Sequence, residues 1–442
     1  MVRSCREDSQ HGSVGAQHAA PAAALRFVLT GTFHGLNRGD SAMQLAAAYA
    51  LLKRWPQAQI AIHSPNADDD RELYKDFEVI ACARRRPMAA LRAIASAAFW
   101  RVTGGRAPLS SELQSYQNAT AVIDLSGDGL TETFGWRCPL SHTVPLLLAC
   151  LLRTRFCLMA QTIGPFHRFR PWFRWIFSRA AFITARDDET FRYLSDWNLP
   201  CSLERTADLA FLLEPGSLDE ARRYLRSLED FDPSCPILGI TPSNLYNVRS
   251  VEAQHATPAN SKERASANTS LAYLESVASA CQALARETQA QILVIPHVFG
   301  PGEDYDDRRA AAALAELIKP PLKPLTIREA LSPPQLKALI GCCDLFVGIR
   351  MHSIIAAVSQ AIPTLAIAYS PKVGALMERI GMKRYVLDVA HLSASDLTNL
   401  ARELWRERQT VRGSLTHKLG NDIFPASQRN LDLLDSHISA LA

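Results

Sequence analysis

The sequence predicts an α/β protein of two Rossmann-like, doubly wound domains facing a cleft, and three observations predict it. From Leu25 onward, short apolar or β-branched runs alternate with longer helical patterns, the signature of βαβ units and parallel sheets. The rhythm breaks once, in the polar stretch between Gly216 and Pro236, and then resumes. The unusual polar residues stand where strands end, the position at which open α/β sheets bind ligands. A chain of 442 residues, 48% hydrophobic and 21% charged, fits two or three such domains and excludes disorder, collagen and coiled coil.

The expected units are a disordered tail at 1–24, domains at 25–215 and 216–394, and a helical segment at 395–442 that packs across both. Arg26–Gly31 reads as the first strand, followed by the loop Thr32–Arg38. A helix begins near Asp40, the expected N-cap, with Ala42, Leu45, Ala46, Tyr49 and Leu52 on one face. Strands follow at Gln59–His63, Thr120–Leu125, Phe156–Gln161 and Ala181–Ala185. The second half reads as strands at Ile237–Thr241, Gln291–Pro296, near Leu325, Leu345–Ile349 and Thr364–Ala368. Helices are expected at Asp306–Ile318, at Pro333–Gly341, from Met351, and at Ser395–Glu407. The insert Val248–Ser270 reads as a mobile loop near the cleft.

Charge and composition narrow the function. Forty-eight Lys and Arg against 44 Asp and Glu leave +4, too little to imply a nucleic-acid partner by bulk electrostatics, and no RNA-binding motif is present. The ten cysteines are scattered without a C-x-x-C pair, which argues for reduced, buried thiols and against a zinc site. The longest apolar stretch, Val144–Leu152, is well short of the roughly 18 residues that span a bilayer. With no secretory pattern at the start, a cytoplasmic protein is expected.

The sharpest local signal is Phe346-Val347-Gly348-Ile349-Arg350-Met351-His352-Ser353, a buried strand running into a helix start that carries Arg350 and His352. Helix N-termini offer N–H groups and a positive dipole end, and a guanidinium adds a planar fork, so the pattern describes an anion site. Phe182–Asp188 repeats it with Arg186, although an Arg–Asp pair at a strand end is also what a structural ion pair looks like. If the domains face each other, the two guanidinium groups converge on one small dianion. Asn37-Arg38-Gly39-Asp40 places a glycine where a ligand can approach the backbone, without the G-x-G-x-x-G spacing of a dinucleotide site. In Ser126-Gly127-Asp128-Gly129 an acid sits between two glycines. His297 follows a buried strand, and Lys372 lies just past the last strong one, where it adds positive charge to the anion site. The acids Glu303, Asp304, Asp306 and Asp307 have no metal-ligand spacing and read as a solvated loop, so no metal is expected. Two basic, aromatic stretches stand apart: Arg84-Arg85-Arg86 with Trp100 and Arg101, and Phe166–Trp175. The second is suited either to a lipid headgroup surface or to a surface helix with buried aromatics.

Taken in order, Asn37-Arg38-Gly39-Asp40, Asp124-Leu125-Ser126-Gly127-Asp128, Gln161–Phe166, Ala185-Arg186-Asp187, Ile295-Pro296-His297 and Arg350-Met351-His352 resemble the polysaccharide pyruvyl transferases, from about Leu25 to about Met382. The resemblance implies a GT-B-like fold. It also implies transfer of the pyruvyl unit of phosphoenolpyruvate to two hydroxyls of one sugar, with a cyclic ketal formed and phosphate released. By the family pattern, Arg186 and Arg350 hold the donor's carboxylate and phosphate together with the Met351 N–H. His352 is the general acid that protonates the donor's methylene carbon, a step suited to an imidazole. Asp128 and His297 are the candidate bases, and Asn37, Gly39, Asp40 and Lys372 are further binding positions. Arginines alone can stabilise departing phosphate, so no cofactor is implied. The segment Thr131–Arg137, with Phe134 and Trp136, is where acceptor contacts are expected. Such acceptors are commonly lipid-linked at the inner membrane face, which gives 166–175 a reason to touch lipid. A nucleotide-sugar GT-B glycosyltransferase is the alternative, but no E-x₇-E pattern appears in the second domain. A sugar-nucleotide epimerase explains Arg350 and His352 less well, and a non-catalytic sugar-binding protein would leave both dispensable.

Overall fold

The computed structural model describes residues 24–244 and 262–440. Seven parallel strands form the first sheet: β1 (Arg26–Thr30), β2 (Gln59–Ser64), β3 (Glu78–Ala81), β4 (Ala121–Asp124), β5 (Phe156–Gln161), β6 (Phe182–Ala185) and β7 (Ser202–Arg205), in the order β3-β2-β1-β4-β5-β6-β7. Six form the second: β8 (Ile237–Thr241), β9 (Gln291–Val294), β10 (Leu325–Thr326), β11 (Leu345–Gly348), β12 (Thr364–Ala368) and β13 (Val386–Asp388), in the order β10-β9-β8-β11-β12-β13. The order in which strands are added therefore reverses once in each all-parallel sheet, between β1 and β4 and between β8 and β11, the points at which such sheets open a crevice beyond their strand ends.

Three short strands were not read from the sequence, and all three lie at sheet edges. β3, β7 and β13 are half-exposed and only three or four residues long; SLER and VLD lack the continuous hydrophobicity of the central strands, and in β3 the apolar Val79–Ala83 runs directly into Arg84-Arg85-Arg86.

The helices of the first domain are α1 (Arg38–Arg54), α2 (Ala67–Asp70), α3 (Pro87–Val102), α4 (Ser111–Gln117), α5 (Arg137–Leu152), α6 (Arg170–Phe177) and α7 (Asp188–Ser195). Those that follow are α8 (Leu218–Ser227), α9 (Lys262–Thr288), α10 (Asp307–Leu317), α11 (Pro333–Gly341), α12 (Met351–Val358), α13 (Pro371–Arg379), α14 (Ala394–Lys418) and α15 (Phe424–Ser439). The tail Met1–Ala24 lies outside the described residues except for Ala24, as do residues 245–261. Residues 262–270, read as loop from the sequence, form the first turns of α9.

Helix α1 is buried on most of its circumference, which explains its run Ala46-Ala47-Ala48. Small side chains let it pack between the first sheet and α11 and α12 of the second domain. Its N-cap is Asn37, whose Oδ1 accepts the Gly39 N–H at 3.1 Å; Asp40, expected to cap, sits in the first turn instead. The chain ends by joining the halves. α14 packs on α9, a π-helical turn follows at Leu419–Ile423, and α15 returns to the first sheet. There the buried Asn430 Oδ1 accepts from Thr184 Oγ1 at 2.5 Å, and Asn430 Nδ2 donates to Ala207 O at 3.1 Å.

The segment Phe166–Trp175 is anchored inward. Phe166 stacks on Phe173 at 3.9 Å between ring centroids, and both rings are buried with Phe177 and Trp197. The membrane reading of this stretch thus loses most of its aromatic face to the core, and Trp175 is left as its exposed large ring.

Candidate active site

A cavity of about 370 Å³ lies between the C-terminal ends of the two sheets. It brings together Asn37, Gly39, Asp40, Asp128 and Arg186 from the first domain with His297, Arg350, Met351, His352 and Lys372 from the second. The two walls are stitched beside it: Asn37 forms an antiparallel bridge with Val298, Arg38 N–H donates to His297 O at 3.2 Å, and Phe299 N–H donates to Leu36 O at 2.9 Å.

Three helices open onto this cavity with their N-termini. Asn37, Gly39 and Asp40 begin α1, Arg350 to His352 begin α12, and Ser370 and Lys372 begin α13. In α12 the N–H groups of Met351, His352 and Ser353 precede the first intrahelical bond, from Ile354 N–H to Arg350 O at 3.1 Å. Three positive dipole ends favour an anion there without any free cation.

That distinction matters because both arginines are already paired. Arg350, buried, donates from Nε and Nη2 to Asp307 at 3.0 and 2.6 Å. The same carboxylate accepts the Asn244 and Val298 N–H groups at 3.1 and 3.0 Å. Asp307, read from the sequence as part of a solvated loop, is fully buried and is the counter-ion of Arg350. Arg186 donates from Nη1 to Asp208 Oδ2 at 2.7 Å and from Nε to Thr162 Oγ1 at 2.9 Å. Burial opposes the Arg186 charge, but Asp208, Asp128 and Asp187 more than offset it and raise its pKa. Nη2 of Arg186 and Nη1 of Arg350 take no part in these carboxylate pairs.

Asp208 was not singled out from the sequence. It follows the edge strand β7, and its backbone is held by the C-terminal helix, with Ser427 Oγ donating to Asp208 O at 2.8 Å. Burial works against its charge, but Arg186 and His352 hold its carboxyl well below the usual carboxylate range. His352 Nε2 stands 3.6 Å from Asp208 Oδ2. On its other side the imidazole covers Gly39, where a β-carbon would lie 2.4 Å from His352 Nδ1. The space expected for a ligand at Gly39 is thus taken by the general-acid candidate.

His297 is buried, and neither ring nitrogen has a hydrogen-bond partner among the described residues. Burial, then His352, Arg350 and Arg38, push its pKa down to about 3, so it is a neutral imidazole that exchanges hydrogen bonds rather than storing a proton. Lys372, expected to add positive charge to the anion site, forms an ion pair with Asp128 across the cleft and lies 5.4 Å from the Phe134 ring centroid. Asp40 is half-buried and accepts the Phe33 N–H at 3.0 Å; burial pushes its carboxyl up to about 6, against the pull of His352. Two further motif residues are architectural. Gln161 Nε2 donates to Asp124 O at 2.7 Å and to Asp124 Oδ1 at 3.1 Å, locking the ends of β4 and β5 together.

Phe33, Phe134 and Tyr305 line the cavity's aromatic side. A larger groove of about 960 Å³ adjoins it and shares Arg186, Met351, Tyr369, Ser370 and Lys372; its other charges are mixed, with Arg192, Arg205 and Lys418 against Asp188, Glu189 and Asp422. Among the described residues no three His, Cys, Asp or Glu side chains come together as metal ligands. No described helix is long and apolar enough to cross a membrane.

Two facing parallel-sheet domains with the polar groups gathered at the strand ends define a GT-B-like protein. The UDP-GlcNAc 2-epimerase of Neisseria meningitidis, solved bound to UDP-GlcNAc, matches 93% of this chain and 99% of its own at TM-score 0.57 and 11% identity. A glycosyltransferase of Rickettsia africae matches 94% and 99% at TM-score 0.57 and 11% identity. These likenesses show the fold. Residues 37–371 match the polysaccharide pyruvyl transferase family, and the chain belongs to it. The amylovoran biosynthesis protein AmsJ of Erwinia amylovora is a relative, 21% identical over 390 residues, which cover 83% of this chain and 89% of AmsJ.

Proposed function

We propose that this chain transfers the pyruvyl group of phosphoenolpyruvate to two hydroxyls of one sugar in an exopolysaccharide precursor, forming a cyclic ketal. The observation that carries the reading is the convergence of Arg186, Arg350, Met351 and His352 on a cavity faced by three helix N-termini. A donor with a carboxylate and a phosphate meets Arg186 Nη2, Arg350 Nη1 and the N–H groups at the start of α12. The counter-ions Asp208 and Asp307 fix both guanidinium groups in place before it arrives.

His352, with Asp208 behind Nε2, gives its proton to the donor's methylene carbon, which becomes the methyl group. The first sugar hydroxyl then bonds to the adjacent carbon and loses its proton to Asp128, restoring the proton count at the site. Lys372 releases Asp128 for this when it turns to the donor's phosphate. The second hydroxyl attacks the same carbon, the C–O bond to phosphate breaks, and the second hydroxyl proton leaves with phosphate. His297 orients hydroxyls as a neutral donor and acceptor, and Phe33, Phe134 and Tyr305 offer aromatic faces to the acceptor. The relative's name, an amylovoran biosynthesis protein, supports a polysaccharide as the destination; a lipid-linked saccharide is the acceptor in this reading.

The test is transfer of label from phosphoenolpyruvate to saccharide in membranes of a polysaccharide-producing cell, with the wild type and His352→Ala. Label recovered as pyruvate after mild acid, dependent on His352, is the expected result. Absence of label with the wild type, or equal label with the variant, would overturn it.

A further inference from the structure

Helix α3 carries apolar residues on two faces. Its inward face uses Ala90, Ala93, Ile94, Ala97 and Trp100, while Met88, Leu91, Phe99 and Val102 point outward, 65%, 59%, 62% and 85% exposed. With Ala95 they follow the spacing 88, 91, 95, 99, 102, one continuous stripe on one helical face. Half of the eight exposed large hydrophobic residues among the described residues therefore lie on this single helix. Isolated apolar residues at a surface need no explanation, but a contiguous stripe does.

The charge in the sequence around the stripe has one sign. No Asp or Glu occurs between Glu78 and Glu112, whereas Arg86, Arg92, Arg101 and Arg106 are exposed at or beside α3. Helices α3 and α6 both pack on α5, and no acid occurs from Thr133 to Arg186 either. Arg101 Nη1 donates to Cys150 O at 2.9 Å at the end of α5, and Arg179 lies near the same cysteine, 3.9 Å above the Trp175 ring. An exposed apolar stripe flanked in sequence by arginines and by no acid matches the chemistry of an anionic bilayer surface: acyl chains for the stripe and headgroup phosphates for the guanidinium groups.

We propose that this face of α3 docks on an anionic membrane, with Met88, Leu91, Phe99 and Val102 in the interface and Arg86, Arg92 and Arg106 on the headgroups. The start of the helix leads to the cavity. Arg84 Nη1 donates to Gly31 O at 2.6 Å and bonds His142 Nδ1 at 2.8 Å, and Arg85 lies 4.0 Å from the Phe33 ring centroid. His142 and Phe33 line the cavity. Docking holds its aromatic side within the helix length, about 24 Å, of the bilayer, which suits a lipid-linked acceptor if the pyruvyl-transfer reading holds. The surface itself rests on exposure and charge, not on that reading.

The test is co-sedimentation of the purified full chain with vesicles of phosphatidylcholine, alone or mixed with phosphatidylglycerol. Wild type, Leu91→Gln/Phe99→Gln and Arg92→Gln/Arg106→Gln are compared, with melting curves and phosphoenolpyruvate titrations run alongside. Expected are binding to the anionic vesicles that weakens with salt, a loss of about tenfold or more in the apolar variant, and a smaller loss in the arginine variant. Melting and donor binding should be unchanged, so that failure here is distinguishable from failure of the pyruvyl-transfer reading. No wild-type binding to anionic vesicles, equal binding by the apolar variant, or a wild-type dimer that this variant dissolves would overturn the proposal; the last would assign the stripe to a second copy of the chain.

Discussion

Gly39 of the first domain and His352 of the second are packed so closely that a β-carbon on Gly39 would stand 2.4 Å from His352 Nδ1. The imidazole thus reads the closure of the two domains. Gly39→Ala must displace the ring from its place beside Asp208, and a displacement of about 1 Å costs on the order of 10²-fold in rate. Single-turnover assays of Gly39→Ala should show that loss with the melting temperature nearly unchanged. Full activity would mean that the ring position is not used.

Asp208→Asn tests the counter-ion that the edge strand hides. It takes from the buried Arg186 its directly paired carboxylate and should cost about 3 kcal/mol at neutral pH. Because the folded-state pKa of Asp208 is depressed, its contribution is present above the unfolded carboxylate value and is lost as pH falls through the folded value. Denaturant midpoints of wild type and variant should therefore differ at pH 7 and converge as the pH falls below about 4.

Asp307→Ala should be as severe, about 3–5 kcal/mol, because the buried Arg350 guanidinium then has no carboxylate. Arg350→Lys should fold better than Asp307→Ala while losing donor affinity, since an ammonium cannot serve a carboxylate and an anion as a planar fork does. Urea unfolding of the two variants separates these outcomes.

Asp40 and His297 give opposite pH signatures. The Asp40 carboxyl is raised to about 6, so its stabilising contribution is full below the unfolded value near 3.8 and disappears as pH rises through about 6. Asp40→Asn should gain on wild type across that window, by at most about 3 kcal/mol. His297 is lowered to about 3, so folding is favoured above the unfolded value near 6.5 and is penalised progressively as pH falls from there towards 3. His297→Gln should flatten that acid-side loss, as read from midpoints between pH 7.5 and 4.

The central strands and the set of residues around the cavity were legible because both are local signals. Buried parallel strands read as apolar runs, and Arg186, Arg350 and His352 stand at strand-to-helix junctions, where ligands bind in this fold class. What was hidden is tertiary. Asp208 is 22 residues from Arg186, Asp307 is 43 from Arg350, and Lys372 is 244 from Asp128, and no spacing rule links such partners. The half-exposed edge strands β3, β7 and β13 are too short to stand out, and with β7 went the position of Asp208. Gly39 was legible as a close-approach position, but only the packed domains reveal that the approaching group is His352.

The most direct test of the central claim is calorimetric titration of the wild type and Arg350→Lys with phosphoenolpyruvate, against a uridine diphosphate control. The account predicts saturable phosphoenolpyruvate binding that weakens about tenfold or more in the variant, and no heat from the nucleotide. Saturable binding of uridine diphosphate by a folded wild type that ignores phosphoenolpyruvate would contradict it and move the cavity to nucleotide-sugar chemistry.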